Sequence, residues 1–328
     1  MIYNIDVGYM PGRSVPRRGS LQYWPRKRAK RIYTRVSTWA PSKDVKPLGF
    51  AGWKAGMTHV QYVDSNASSP TYGKTISRAA TILDAPSLFV CAVRFYKNTA
   101  SGLMSAGENW AKIPEEIDIK RKTAPGKKEA PESFDDVRLL VCTQLEKSGM
   151  KKKKPELFEL GMGGEDVAKK KDYALSLLGK EITAKDVFKP GEYVDASAVT
   201  KGHGFTGVVK RFGVRIGTRK SKQAHRHTGS VGPTTPSHIL HTVPLPGQYG
   251  FFSRTEFNKR ILLIEDDAKK INPKGGLVGY GTLKSFILIE GSVPGPRKRL
   301  VRLRKALRTA KFAPVDMKYV SLESKQGV

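Results

Sequence analysis

At 328 residues with 39% apolar side chains, the chain is long enough for about two domains of ~100 to 200 residues, with a real core. Its 59 Lys and Arg against 29 Asp and Glu leave a net charge of +30, the electrostatic footprint of a nucleic-acid partner. Apolar runs such as Leu88 to Val93 fall far short of the ~18 residues of a membrane span, and Asp6 and Pro11 interrupt any signal peptide. These features argue against a membrane or secreted protein and for a soluble intracellular one.

The charge is unevenly placed. Residues 108 to 195 hold 18 acidic and 18 basic side chains, so the whole excess lies outside them. Three basic runs contain no acid at all: Val7 to Lys43, Ala196 to Thr255 and Gly291 to Val315. One part of the molecule is built to face solvent or protein, and the rest to face phosphate.

Residues 1–45 read as a basic arm without helical or strand periodicity. Arg13, Arg17, Arg18, Arg26, Lys27, Arg28, Lys30, Arg31 and Arg35 are interleaved there with Tyr23, Trp24, Tyr33 and Trp39. Aromatic rings among guanidinium groups suit stacking on bases beside phosphate contacts. The alternative is a tail whose aromatics tuck against the core.

From Pro47 the pattern becomes strand-like, in GFAGWKAGMTHVQYVD and TILDAPSLFVCAVRFY, which indicates an antiparallel sheet or small barrel. Cys91 and Cys142 sit in apolar runs without Cys or His nearby in sequence, as reduced core residues do. A charged, proline-punctuated loop (Lys112 to Ser133), a strand (Val137 to Gln144), a Lys151 to Lys154 run and a second strand (Glu156 to Leu160) follow. One helix starts at Glu165 and Asp166 and stops at Gly179, with Val167, Ala174 and Leu178 on one face. Strand patterns resume at EYVDASAV and return in RILLIEDD, VGYGTLKSFILIEGSV and KRLVRLRKAL. A sheet begun before the neutral region is thus completed after it: a β-barrel interrupted by a small α/β domain and by a basic loop.

That loop, Ala196 to Thr255, packs nine Lys and Arg, five of the six His, nine Gly and four Pro into sixty residues. It buries too little apolar surface to offset its ordering entropy and is not expected to fold by itself. A polyanion would order it. GHGFTG at Gly202 to Gly207 matches the spacing of a dinucleotide-binding turn, but VVKRFGVRIG follows with strand formers instead of a helix, and no acid appears before Glu256 to hold a ribose. The histidines lack Cys or acidic companions among seven cations from Lys210 to Arg226, so no metal site is expected. His203, His225 and His227 are read as RNA contacts or as plain solvent-exposed groups. No nucleophile elbow, phosphate loop or carboxylate pair with a His is present, so neither catalysis nor a cofactor is expected. In the third basic run, Arg297, Lys298, Arg299, Arg302, Arg304 and Lys305 alternate with Leu300, Val301 and Leu303. This pattern suggests phosphate contacts along a barrel edge, or a basic strand guarding that edge against aggregation.

Phe188, Asp195, Ala198, Thr200, Gly202, His203, Gly204, Gly207 and Arg211 stand in a family spacing, and GWKAGMT, GFFSRTEFNKR and EGSVPGPRKRLVRLRKAL are further family-like segments. Over nearly its whole length the chain resembles the universal large-subunit ribosomal protein L-three family, in its archaeal and eukaryotic form. The resemblance implies a mostly β fold with an α/β insertion, its core a translation-protein-type β-barrel. It also implies a non-globular basic arm and an internal loop extension into large-subunit (23S-type) rRNA. The expected division is 1–45 arm; 46–100 with 186–205 and 256–305 barrel; 101–185 inserted domain; 206–255 extension; 306–328 tail. Gly232, Pro233, Thr234, Thr235 and Pro236 match the loop tip that the family brings near the peptidyl transferase centre, with Thr234 where relatives often have Trp. The resemblance further implies support of early subunit assembly, neighbouring ribosomal proteins as partners, and a cytoplasmic location. Membrane and small-molecule partners are not expected. To the rRNA-binding candidates named above the reading adds Lys54, Lys201, Lys210, Arg211, Arg215, Arg219, Lys220, Lys222, Arg226 and Arg254. A DNA-compacting, chromatin-type protein is the rival reading, sharing the charge but not the neutral inserted region.

Overall fold

The computed structural model describes residues 17–323 apart from 115–116, 118, 120–130, 132, 151, 222–224, 309–311 and 313. Arg13 and Lys222, and most of the Lys112 to Ser133 loop, lie outside the described residues. The chain forms two compact units, one of Ala29–Thr200 with Ser253–Val328, the other of residues 17–28 with Lys201–Phe252.

In chain order the elements begin with β1 (Gly49–Val63), β2 (Thr75–Asp84), β3 (Leu88–Thr99), β4 (Gly102–Trp110), β5 (Asp136–Thr143) and β6 (Leu157–Gly161). Then come α1 (Val167–Ser176), β7 (Glu181–Ile182), α2 (Ala184–Val187), β8 (Tyr193–Val199), β9 (Gly202–Thr206), α3 (Val208–Phe212) and β10 (Gly247–Gly250). The last strands are β11 (Ser253–Glu265), β12 (Phe286–Glu290), β13 (Leu300–Lys305) and β14 (Asp316–Val320).

The larger unit is β-dominated, with a small α/β insertion. Its main sheet runs β13-β8-β11-β12-β2-β1-β14, and β13 also pairs with β1, so six antiparallel strands hydrogen-bond in cyclic order. Strand β12 is FILIE, with four consecutive buried apolar residues, because both of its faces are covered. Phe286–Glu290 is therefore strand as expected. The preceding 278–284 is not: Leu277 and Gly281 close a turn in which Gly279 and Gly281 take positive φ.

The second sheet, β4-β3-β5-β6 with β7 beside β3, carries α1 over β5. Strand β3 pairs with β4, β5 and β7, whereas the sequence reading placed it with the first sheet. Periodicity identifies a strand but not the sheet it joins. On one face of this sheet Arg94 is held by Glu108 and Glu159, the Tyr96 hydroxyl donates to Glu159 (2.8 Å), and Arg138 reaches Asp136 (3.1 Å). Glu108, Asp136, Arg138 and Glu159 of the neutral region spend their charge internally in this way. Cys91 and Cys142 are buried free thiols beside Phe89.

The main sheet and the insertion share one core. Asp84, at the end of β2, is fully buried and accepts from the Tyr280 hydroxyl (2.6 Å) and the Gly149 amide (3.1 Å). Burial pushes its carboxyl above the usual range.

Residues 29–45, expected as arm, are strapped onto this unit instead. Val36 and Ala40 are buried, and the Tyr33 hydroxyl donates to Leu157 O (2.7 Å). Trp39 packs so closely on Gly161 that a Cβ there would lie 2.5 Å from its ring. Tyr33 and Trp39 thus use their rings on protein. They are amphipathic, and the sequence contained the alternative that such aromatics tuck inward.

Candidate nucleic-acid interface

The smaller unit is built around the base of the acid-free segment. Strand β9 pairs antiparallel with β10, and α3 follows β9 directly. The expectation of extended backbone at VVKRFG is corrected to a one-turn helix: Val208 and Phe212, four residues apart, are both buried, and Gly213 ends the turn at φ 67°. Arg211 ties this base together, donating through Nε to Gln248 O (3.0 Å) and through Nη1 to Leu245 O (2.7 Å). The expectation that the segment has no fold of its own therefore fails at its base. Three fixed points, the ladder, the helix and Arg211, supply the contacts that composition did not promise.

Residues 17–28 belong to the same unit. The Arg26 guanidinium lies 4.3 Å from the Phe212 ring and 5.2 Å from that of Trp24, and donates to Ser20 O. Trp24 meets His241 edge to face at 5.5 Å, and Arg17 donates to Thr242 O. His203 stacks on Tyr249 at 5.0 Å. Burial lowers the pKa of both Arg26 and Arg211, each reinforced by a neighbouring guanidinium. Tyr23 is 64% exposed, whereas Trp24, Tyr33 and Trp39 are half-buried.

Beyond this base the chain is open to solvent. Every residue from Gly229 to His241 is exposed, including Gly232, Pro233, Thr234, Thr235 and Pro236. Arg17, Arg18, Lys27, Arg28, Lys201, His203, Lys210, Arg215, Arg219, Lys220, Arg226 and His227 are exposed, while His225 is half-buried. On the larger unit Lys30, Arg31, Arg35 and Lys298 are exposed, and Arg254, Arg297 and Arg299 half-buried.

Lys54, Arg302 and Arg304, on the larger unit and also named from sequence, are engaged within the protein. Lys54 is half-buried, donates to Val293 O (2.7 Å) and Gly295 O (3.2 Å), and has its pKa lowered by burial. Arg302 and Arg304 are buried, and the strand carrying them has partners on both sides, β8 and β1. The expected edge is thus an interior strand. Arg302 donates to Thr34 O (3.1 Å) and Glu159 O beneath the Phe158 ring, 4.6 Å away. Arg304 donates to Thr38 O (2.8 Å) and to Asp195 (3.1 Å). Asp195, fully buried, also accepts the Asn258 and Leu307 amides, so one carboxylate fixes a bulge of β11, β13 and the turn after it. Alternating charge marked these arginines as surface. It could not show that a second layer, the strap at 29–40, covers the strand's outer face.

Among the described residues, no three or more His, Cys, Asp or Glu side chains converge as a metal site would require, and no helix is long and apolar enough to cross a membrane. A glycine-rich, acid-free cationic surface on a folded base, in a chain that also has a β-rich unit with a charge-neutral insertion, defines a binding protein for a folded nucleic acid. The ribosomal protein L3 family model matches residues 10–134 and 119–327. The chain is 48% identical to the large ribosomal subunit protein uL3 of Methanopyrus kandleri, over 97% of this chain and 92% of that one. It is 46% identical to the same protein of Methanothermobacter thermautotrophicus and 44% to that of Methanococcus vannielii, each over 95% of this chain and 98% of the relative. The chain belongs to the ribosomal protein L3 family.

Proposed function

We propose that the chain is a structural, non-catalytic constituent of the cytoplasmic large ribosomal subunit that binds 23S-type rRNA and supports early assembly. The observation that carries this reading is family membership across nearly the full length, joined to a sixty-residue acid-free segment most of whose described cations face solvent. The cyclic pairing of β1, β2, β12, β11, β8 and β13 supports a translation-protein-type barrel as the core. Residues 17–28 act as the arm and 214–246 as the extension, with Gly232 to Pro236 at a tip directed toward the peptidyl transferase centre. Each exposed Lys or Arg there replaces counterions on phosphate, and specificity comes from the shape of one folded RNA.

The test is binding of the full chain to folded large-subunit rRNA across a salt series, with excess duplex DNA as competitor. Tight binding that survives the DNA and weakens steeply with salt is expected. Loss of binding to the DNA would favour a chromatin-type polycation. Replacing 214–244 by a short Gly-Ser linker should leave the larger unit folded and cripple subunit assembly; active subunits carrying that deletion would overturn the proposal.

A further inference from the structure

The GHGFTG stretch is strand β9 together with Gly207, the N-cap of α3. Its Phe205 is 78% exposed, the most exposed large apolar side chain among the described residues. Burying a Phe ring is one of the larger stabilising contributions a side chain makes, and here it is withheld from the chain's own packing. A lone exposed apolar residue on a loose surface loop would be ordinary. The backbone under this one is fixed. Phe205 faces Gln248 across the β9–β10 ladder, Arg211 donates from α3 to Gln248 O (3.0 Å), and the Gln248 side chain donates to Gly250 O (2.9 Å).

The space about the ring is clear. Gly204 precedes it with φ 69°, which glycine adopts without steric cost, and a Cβ at Gly204 or at Gly207 would meet nothing within 4 Å. Residues one before and two after the ring therefore add no bulk that would keep a flat ligand away. Charge decides which ligand that is. No Asp or Glu occurs in 17–28 or 201–252, which form the smaller unit, and the lysines on either side of Phe205 in sequence, Lys201 and Lys210, are exposed. A protein partner would have to be strongly acidic to match this unit, and carboxylates have no use for a bare phenyl ring. RNA carries both complements at once, phosphates for the lysines and flat bases for the ring.

We propose that Phe205 is a stacking platform for one unpaired nucleobase of the large-subunit rRNA. Bases inside a duplex already stack on one another, so the base that meets the ring is one in a loop or bulge, or splayed from a helix end. The proposal rests on the rRNA-binding reading and deepens it. To a surface of cations, which any polyanion satisfies, it adds a contact that duplex DNA does not offer. It also gives GHGFTG a use: the glycines clear the space, the ladder fixes the strand, and the ring receives the base.

The experiment measures binding of the full chain to folded large-subunit rRNA over a salt series, with excess duplex DNA, for the wild type and for Phe205→Ala, Phe205→Leu and Phe205→Tyr. Phe205→Ala should raise Kd about tenfold, ~1.4 kcal/mol and within the range for one stacked base. The salt slope should not change, because no charge is lost. Phe205→Tyr, which keeps the ring, should bind like the wild type. Phe205→Leu, apolar but without a π face, should bind like Phe205→Ala. All three should unfold in urea at the wild-type midpoint, since the ring is exposed. An unchanged Kd in Phe205→Ala would overturn the proposal and leave a neighbouring protein as the ring's cover. Full binding by Phe205→Leu, the mark of a merely apolar contact, would overturn it too, as would loss of binding in Phe205→Tyr. A wild-type chain that loses rRNA to the duplex DNA would instead refute the ribosomal reading itself, so the two failures are distinguishable.

Discussion

Arg302 separates two uses of a cation, and its substitution should tell them apart. In Arg302→Ala the structure loses two charge-assisted hydrogen bonds, to Thr34 O and Glu159 O, at about 1.5–3 kcal/mol each. The contact with Phe158 adds about 1–2 kcal/mol at a desolvated site. Against this, the variant is relieved of the burial cost that lowers the Arg302 pKa to about 10, roughly 3 kcal/mol. The net expectation is a loss of about 1–5 kcal/mol of folding stability. Arg302→Met, which keeps volume and is also relieved of the burial cost, should lose less, about 1–2 kcal/mol. Urea unfolding of the free chain followed by tryptophan fluorescence measures both. The same variants are then titrated with large-subunit rRNA at several salt concentrations. The slope of log K against log salt should be unchanged in both, whereas Lys220→Ala, exposed on the extension, should lower it by roughly 0.7–0.9. An Arg302→Ala protein with unaltered unfolding and a salt slope reduced like that of Lys220→Ala would refute the assignment and restore Arg302 to the rRNA surface.

Three further outcomes follow from the geometry. Because burial raises the Asp84 pKa, the native state binds more protons than the unfolded state once pH exceeds the unfolded value near 4. Stability should therefore fall as pH rises from there through the folded pKa; Asp84→Asn, which can still accept from Tyr280 and Gly149, should remove that slope in unfolding curves taken between pH 4 and 7. Gly161→Ala drives a Cβ into the Trp39 ring and should release the strap, raising trypsin cleavage at Arg31 and Arg35 about tenfold in a timed digest; an unchanged digest would show that the ring can shift in place. Gly250 has φ +69° and a Cβ there would sit 2.0 Å from Lys201 O, so Gly250→Ala should weaken rRNA binding by about 1–3 kcal/mol through distortion of the β9–β10 ladder. Equal affinity in a filter-binding assay would argue that the ladder does not position the extension.

The amino-acid sequence by itself determined the class of partner, because net charge and its segregation are additive along a chain and survive any fold. It also determined where most strands lie: Tyr193–Val199, Ser253–Glu265 and Leu300–Lys305 all fall where β-branched and apolar residues cluster. The helix before Gly179 was legible for the same reason, from local capping and periodicity. Strand β4 was not, since GLMSAGENW has neither alternation nor β-branched residues and is held only by its pairing with β3. Only the tertiary structure decided which cations are surface. Arg302 and Arg304 read like Lys298 in sequence, yet the strap at 29–40 covers two of them and leaves the third exposed. Tyr33 and Trp39 were likewise turned from bases to protein by neighbours more than a hundred residues distant, Leu157 and Gly161. Burial is a property of what comes to lie above a residue, and that is set by long-range packing, which local pattern does not encode.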